Sequence, residues 1–165
     1  MRREITLETL NSLIKPLSER YEFARALFVE TSGLTVSSNL NQTFVEPLSA
    51  QRGVVVSVLH NGLLYEGSSV VHSVADINKT IKGLEKTVAV SRQSGTLRLI
   101  PEEPLRLQAG APIADNLSEN DKAAFAAKMA REIKAKKSMV AMASARYKQT
   151  NTRELYVSSQ KALEQ

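Results

Sequence analysis

The sequence predicts an α+β protein in which helices pack on one face of a largely antiparallel sheet. Three observations support this fold class. Apolar residues recur at helical spacing in three segments, strand-like alternation fills stretches between them, and turn signals separate neighbouring strands. The predicted order is one helix, several strands with hairpins, a second helix, a long connection, a third helix and a final hairpin.

The first two helices are predicted from a start signal followed by an apolar stripe. Residues 6–19 begin at Thr6, a favoured N-cap residue, and contain Pro16, which should kink or shorten the helix. Residues 74–91 follow Ser73 and Asp76, which match the capping-box pattern. The two stripes recur at spacings of three and four: Leu7, Leu10, Ile14 and Leu17, then Ile77, Ile81, Leu84 and Val88.

The third helix is predicted to begin at a second capping box, formed by Ser118 and Asp121. Its alanine-rich body favours a helix. Phe125, Met129 and Ile133 recur every four residues, with Ala126 and Ala130 beside them. This pattern predicts that the three large side chains face the core.

The strands are predicted as short segments separated by turns. Residues 21–31 form the first strand, which ends at a turn at Ser32-Gly33. Two more strands start at residues 34–36 and 43–45, and Pro47 marks an edge, a bulge or the end of pairing. Residues 54–59 and 63–68 form a hairpin around Asn61-Gly62, since both turn residues tolerate positive φ. Residues 139–147 and 154–158 form the last hairpin, with 149–152 as its polar loop.

Length and composition indicate an ordinary soluble, globular chain. The 165 residues, 42% hydrophobic and 24% charged, suit a single domain over 1–165, divided into a helix–sheet–helix part (1–95), a Pro/Gly connection (96–117) and a helix plus hairpin (118–165). A short strand is expected near residues 97–100. The absence of cysteine excludes disulfides and thiolate chemistry and fits a cytoplasmic chain. No apolar run approaches the ~20 residues of a membrane span.

The positive charge is concentrated near the end of the sequence. Residues 1–127 carry a net charge of −1, whereas residues 128–165 carry +6. This quarter could serve a nucleic-acid or acidic partner. The alternative, which we favour, is a solvated helix end and an exposed strand, because cations suit the last turn of a helix and no DNA-binding motif accompanies them. Nucleic acid is therefore not the expected partner.

No catalytic or metal-binding constellation is evident, so no catalytic or metal residue is predicted and the binding residues stay unknown. His60 and His72 are twelve positions apart, without cysteine or a helical histidine pair. The pair Glu102-Glu103 is interpreted as two carboxylates on a loop without a catalytic role. Glu46 and Glu66 lie in or near strands, where they could form surface salt bridges with Arg52.

One longer stretch resembles a known family. Residues 21–70, YEFARALFVETSGLTVSSNLNQTFVEPLSAQRGVVVSVLHNGLLYEGSSV, resemble the opening of the TldD/PmbA family, the so-called modulators of DNA gyrase, which are zinc metalloproteases. The helix after Ser73, the proline-containing connection, the Ser118 helix and the strands at 139–147 and 153–158 follow in the family's order. The resemblance covers about residues 5–160.

The resemblance implies a structural role in a peptidase. The family's H-E-x-x-x-H motif and late cysteine ligand do not occur here, so the chain carries no catalytic motif and whether it is an enzyme stays open. We expect the N-terminal part of a longer protein, whose zinc lies in a region beyond this chain. A stand-alone chain without protease activity is the alternative.

The resemblance also implies partners. The corresponding region helps to enclose a cavity for unfolded or small peptides and contributes to contacts in a homodimer or a heterodimer with a TldD/PmbA-like subunit. Sheet edges can hold extended peptides by strand addition. We expect such an edge at residues 153–158 or near Pro47.

Overall fold

The computed structural model describes residues 4–98, 117–136, 142–159 and 162–164. Their elements, in chain order, are α1 (Leu7–Ser18), β1 (Phe23–Asn39), β2 (Thr43–His60), β3 (Leu63–Val70), α2 (Val74–Val90), α3 (Glu119–Lys136), β4 (Ser144–Ser158) and β5 (Ala162–Glu164). The strands form one sheet in the order β3-β2-β1-β4-β5, and the pairs β2–β3 and β4–β5 are antiparallel. The predicted α+β class is confirmed.

Two compact units divide the chain. The first contains Met1–Glu30, Gln51–Ala109 and Thr152–Gln165, and the second contains Thr31–Ala50 and Gly110–Asn151. The single domain over 1–165 stays a prediction. Residues 99–116 of the predicted connection lie outside the described residues, among them residues 99 and 100 of the expected short strand. Residues 97 and 98 of that expected strand are described and are not part of a strand.

The first unit has a continuous apolar core between its helices and its strands. Both predicted stripes are buried there, with Leu10, Ile14 and Leu17 from α1 and Ile77, Ile81, Leu84 and Val88 from α2. Alternate residues of the strands complete the same cluster: Ala24, Ala26, Phe28, Val54, Val56, Val58, Leu155 and Val157. The period of two along each strand therefore directs one face toward these helices.

The helix starts agree with their sequence signals. Thr6 caps α1 by accepting a hydrogen bond from the Thr9 backbone N–H at 3.1 Å. At α2, the Asp76 carboxylate accepts from the backbone N–H groups of His72 (2.9 Å) and Ser73 (2.8 Å). These bonds favour the charged form and lower the pKa of Asp76. These bonds stabilise α2 fully at pH values above the pKa of a free aspartate. Their contribution is lost as the pH falls through the lowered pKa of Asp76 in the folded chain.

The hairpin around Asn61-Gly62 is confirmed. Both residues have positive φ, 51° and 69°. The register pairs His60 with Leu63 and continues to Gly53 with Val70. Glycine suits the second position because its missing Cβ removes the steric penalty of a positive φ.

Two predicted strand breaks are wrong, because β1 runs through Ser32-Gly33 and β4 runs through residues 149–152 without a turn. β2 also runs through Pro47, which lies in the segment beyond its pairing with β3, so the edge position is the one of its three predicted roles that agrees. Gly33 allows a close backbone approach, since a Cβ there would meet the carbonyl of Gln149. Residues 43–51 of β2 and 150–152 of β4 are exposed. The polar residues in these two segments therefore belong to strands that face solvent, not to turns.

The orientation of α3 also differs from its prediction. The capping box is present, since Ser118 N–H donates to the Asp121 carboxylate and Asp121 N–H donates to the Ser118 hydroxyl, both at 3.1 Å. The three predicted core side chains are exposed, with fractions of 55%, 36% and 44% for Phe125, Met129 and Ile133. The buried residues of α3 are instead Lys122, Ala126 and Ala130. Small alanines allow α3 to pack closely.

Candidate functional site

The two histidines lie apart from any group of metal ligands. His60 ends β2, where its ring meets the Tyr21 ring edge-on at 5.6 Å between centroids. His72 precedes α2, and its backbone N–H is used in the cap of that helix. Within the described part of the chain, no three His, Asp or Glu side chains lie close enough to hold a metal ion. These residues therefore do not fit a zinc site. Glu102 and Glu103 lie outside the described residues.

A charged cluster joins three strands in the first unit. Glu66 accepts hydrogen bonds from Ser57 at 2.7 Å and from Arg25 at 3.1 Å, and the Arg25 Nε donates to Ser57 at 3.1 Å. The Ser57 hydroxyl, and next the Arg25 guanidinium, lower the pKa of Glu66. Arg52 pairs with Glu30 at 2.6 Å rather than with Glu46 or Glu66, its two predicted partners. This cluster links neighbouring strands and needs no ligand.

The first predicted sheet edge, residues 153–158, is partly occupied. β5 pairs antiparallel with β4 through Leu155, Tyr156 and Val157. The backbone groups of this segment therefore already have a strand beside them. An extended peptide would have to displace β5 before it could pair there.

The second predicted edge, near Pro47, is open among the residues that the structure describes. β3 pairs with residues 53–60 of β2, so its register stops before residues 43–51. All nine of those residues are exposed, and Phe44, Val45 and Leu48 expose 52%, 38% and 37% of their surface. Unpaired backbone groups beside apolar side chains form a template for another strand. Pro47 removes only one donor from it.

None of the described helices is long and apolar enough to cross a lipid bilayer.

No family model and no curated protein matches the sequence.

Three solved structures share the fold of the chain. A "putative modulator of DNA gyrase" from Bacteroides thetaiotaomicron matches with a TM-score of 0.75 and 15% identity over 100% of this chain. A "putative modulator of a DNA gyrase" from Thermotoga maritima matches with a TM-score of 0.68 and 17% identity over 97%. TldE from Thermococcus kodakarensis matches with a TM-score of 0.74 and 11% identity over 95%.

These comparisons confirm, at the level of the fold, the resemblance to modulators of DNA gyrase. The chain spans 39%, 37% and 36% of the length of those three structures. It therefore corresponds to one part of each larger chain. Because the identities are low, activity does not follow from the shared fold alone.

Proposed function

We propose that the chain is a non-catalytic domain of a cytoplasmic TldD/PmbA-like metalloprotease that degrades unfolded or small peptides. In this proposal the domain shapes the substrate cavity, and zinc belongs to another part of the enzyme. The shared fold supports the assignment, because nearly the whole chain aligns with little more than a third of each related structure.

The observation that carries the proposal is the open edge of β2 at residues 43–51. An unfolded peptide is extended or easily becomes so, and its backbone can form ladder hydrogen bonds with such an edge. Side chains of alternate residues would then contact Phe44 on one face of the strand or Val45 on the other. Recognition through the backbone tolerates many sequences, which suits a domain that receives varied peptides.

A peptide-binding assay tests this role. We expect a fluorescein-labelled Thr/Val peptide with both termini blocked to bind the full chain in an anisotropy titration. The Val45→Lys variant should weaken binding by roughly tenfold, since a lysine on an edge strand opposes pairing. Val55→Lys is the matched control, because Val55 is equally exposed, at 39%, but its strand segment is already paired with β3.

The two variants also define how this role would fail. Equal affinities of Val45→Lys, Val55→Lys and the unchanged chain would contradict binding at the open edge. Circular dichroism on all three proteins checks that a loss of affinity does not come from unfolding.

The proposal includes a homodimer or a heterodimer with a TldD/PmbA-like subunit. The exposed row of Phe125, Met129 and Ile133 on α3 supports it, because contiguous apolar side chains on a surface often mark a protein interface. We expect Phe125→Glu to shift the chain, or its mixture with such a subunit, toward monomers in light scattering. Val90→Glu, on a residue that is 80% exposed at the end of α2, should leave the mass unchanged. Equal masses for all three proteins would contradict an interface on α3.

A nucleic-acid-binding protein remains the alternative. Two cations of the basic quarter have partners within the chain, since Lys128 lies 3.8 Å from Glu132 and Arg153 lies 2.7 Å from Glu4. These ion pairs favour the peptidase domain. A DNA mobility shift that weakens steeply with added salt would support the alternative instead.

A further inference from the structure

A groove in the second unit has the chemistry of an anion site. It has a volume of about 360 Å³ and is lined by residues of three strands: Ser37, Ser38 and Asn39 of β1, Phe44 of β2, and Ser144, Ala145 and Arg146 of β4. None of these residues is acidic. A small-molecule site of this size is common in proteins.

Arg146 supplies an uncompensated positive charge to this groove. Its Nε lies 3.4 Å from the Ser37 hydroxyl, a long contact. Among the described residues no carboxylate lies within 4.0 Å of its guanidinium. Four other arginines do have such partners: Arg20 with Glu85, Arg25 with Glu66, Arg52 with Glu30 and Arg153 with Glu4. Arg92, Arg98 and Arg131 have no carboxylate partner among the described residues either, but they do not line the groove. A guanidinium offers two parallel N–H donors, the geometry that suits a carboxylate.

Asn39 adds a second donor. Its Oδ1 accepts from the backbone N–H groups of Asn41 and Gln42, both at 2.8 Å. The acceptor end of the amide is therefore engaged in the turn, which leaves the NH₂ end as the group available to a ligand. Ser37 and Ser144 also line the groove, whereas the Ser38 hydroxyl already interacts with Thr43 at 2.8 Å.

Phe44 makes the site more selective than a patch of charge. Its ring lines the same groove and is 52% exposed. An apolar surface beside anion donors suits a carboxylate that is attached to an apolar group, and it offers nothing to a fully hydrated inorganic anion. The C-terminal residue of a peptide has both parts, a carboxylate and a side chain.

We infer that this groove binds the C-terminal carboxylate of a peptide whose last side chain is apolar and packs on Phe44. The inference deepens the proposed function, because it names the end of the peptide that the domain recognises. It also makes a separate claim, since binding at the groove does not require strand addition at the β2 edge.

An NMR titration of the full chain tests the inference with two matched probes. N-acetyl-Ala-Leu with a free carboxylate should shift the backbone amide signals of Ser37, Asn39, Phe44 and Arg146. The corresponding C-terminal amide should bind at least roughly tenfold more weakly, because it cannot form charge-assisted hydrogen bonds with Arg146. Comparable affinities of acid and amide, or no shifts at millimolar acid, would overturn the inference.

Two variants locate the charge that matters. Arg146→Gln should weaken binding of the acid about tenfold or more, and Arg146→Lys should recover part of that loss. Lys148→Gln removes a positive charge two residues away on the same strand, from a residue that does not line the groove. Equal losses of affinity in Arg146→Gln and Lys148→Gln would show that the strand attracts anions only through its net charge, which would overturn the proposal.

Competition separates the carboxylate from other anions. Inorganic phosphate that displaces N-acetyl-Ala-Leu at equal concentration would show an unspecific anion site and contradict the role of Phe44. Blocked peptides that fail to bind while the free acid binds would refute the edge role alone. Loss of acid binding with intact binding of blocked peptides would refute the groove alone.

Discussion

Truncation of Phe28 to alanine is expected to lower the free energy of unfolding by about 3–5 kcal/mol. Phe28 is 1% exposed and belongs to the apolar cluster beneath α1 and α2. The substitution removes a large buried surface and leaves a cavity that the surrounding side chains fill only in part. Urea unfolding of the full chain, followed by circular dichroism, measures the loss.

Phe125 provides a control with the same chemical change. Its side chain is 55% exposed on α3, so Phe125→Ala should alter the free energy of unfolding of the monomer, measured at low protein concentration, by no more than about 0.5 kcal/mol. The sequence pattern alone predicts the opposite, since Phe125 occupies an apolar stripe. A loss of several kcal/mol at Phe125 would contradict the observed orientation of α3.

Gly33→Ala is expected to destabilise the second unit by roughly 1–3 kcal/mol. A Cβ at this position would meet the carbonyl oxygen of Gln149 and lie 3.1 Å from the Cα of Thr150. Backbone atoms cannot rotate away as a side chain can, so β1 and β4 would have to separate. Faster amide exchange at residues 147–150, measured by NMR, should accompany the lower unfolding midpoint in urea.

Gly83 is the matched control for this effect. It lies inside α2, where an added Cβ would meet nothing within 4 Å beyond the backbone of its own helix. Gly83→Ala should therefore stabilise the chain by up to about 1 kcal/mol, since alanine loses less conformational entropy in a helix. Opposite signs at the two glycines are the expected result, and stabilisation at both would contradict the tight crossing at Gly33.

The sequence predicted the elements whose signals are local. Thr6, Ser73 and Ser118 mark helix starts because their side chains bond the first backbone N–H groups or the capping carboxylate nearby. The Asn61-Gly62 turn follows from the positive φ that these residues tolerate. The buried stripes of α1 and α2 follow from helical periodicity. Each of these features depends on residues a few positions apart.

The continuity of the long strands depended on more distant residues. Gly33 indicates a turn by its local preference, but its close approach to Gln149, more than a hundred positions away, keeps it within β1. Pro47 indicates an edge, a bulge or the end of pairing, and the structure places it in the exposed part of β2, where a missing donor costs little. Local propensity is a weak guide wherever a neighbouring strand determines the conformation.

The candidate site was predicted only in part. The sequence suggested a sheet edge near Pro47, and the structure shows that residues 43–51 lie beyond the register of β3. The groove at Arg146 had no sequence signal, because Ser37, Phe44 and Arg146 lie on three strands and come together only through pairing in the sheet.

By itself, the sequence determined the α+β class, the helix starts, the central hairpin and the resemblance to modulators of DNA gyrase. These depend on short-range spacing and on the order of elements. Only the tertiary structure decided which side of α3 is buried, which strand edge is open and which side chains surround Arg146. Apolar spacing shows that a helix has two faces, but the alanine side of α3 is buried because small residues permit the closer contact.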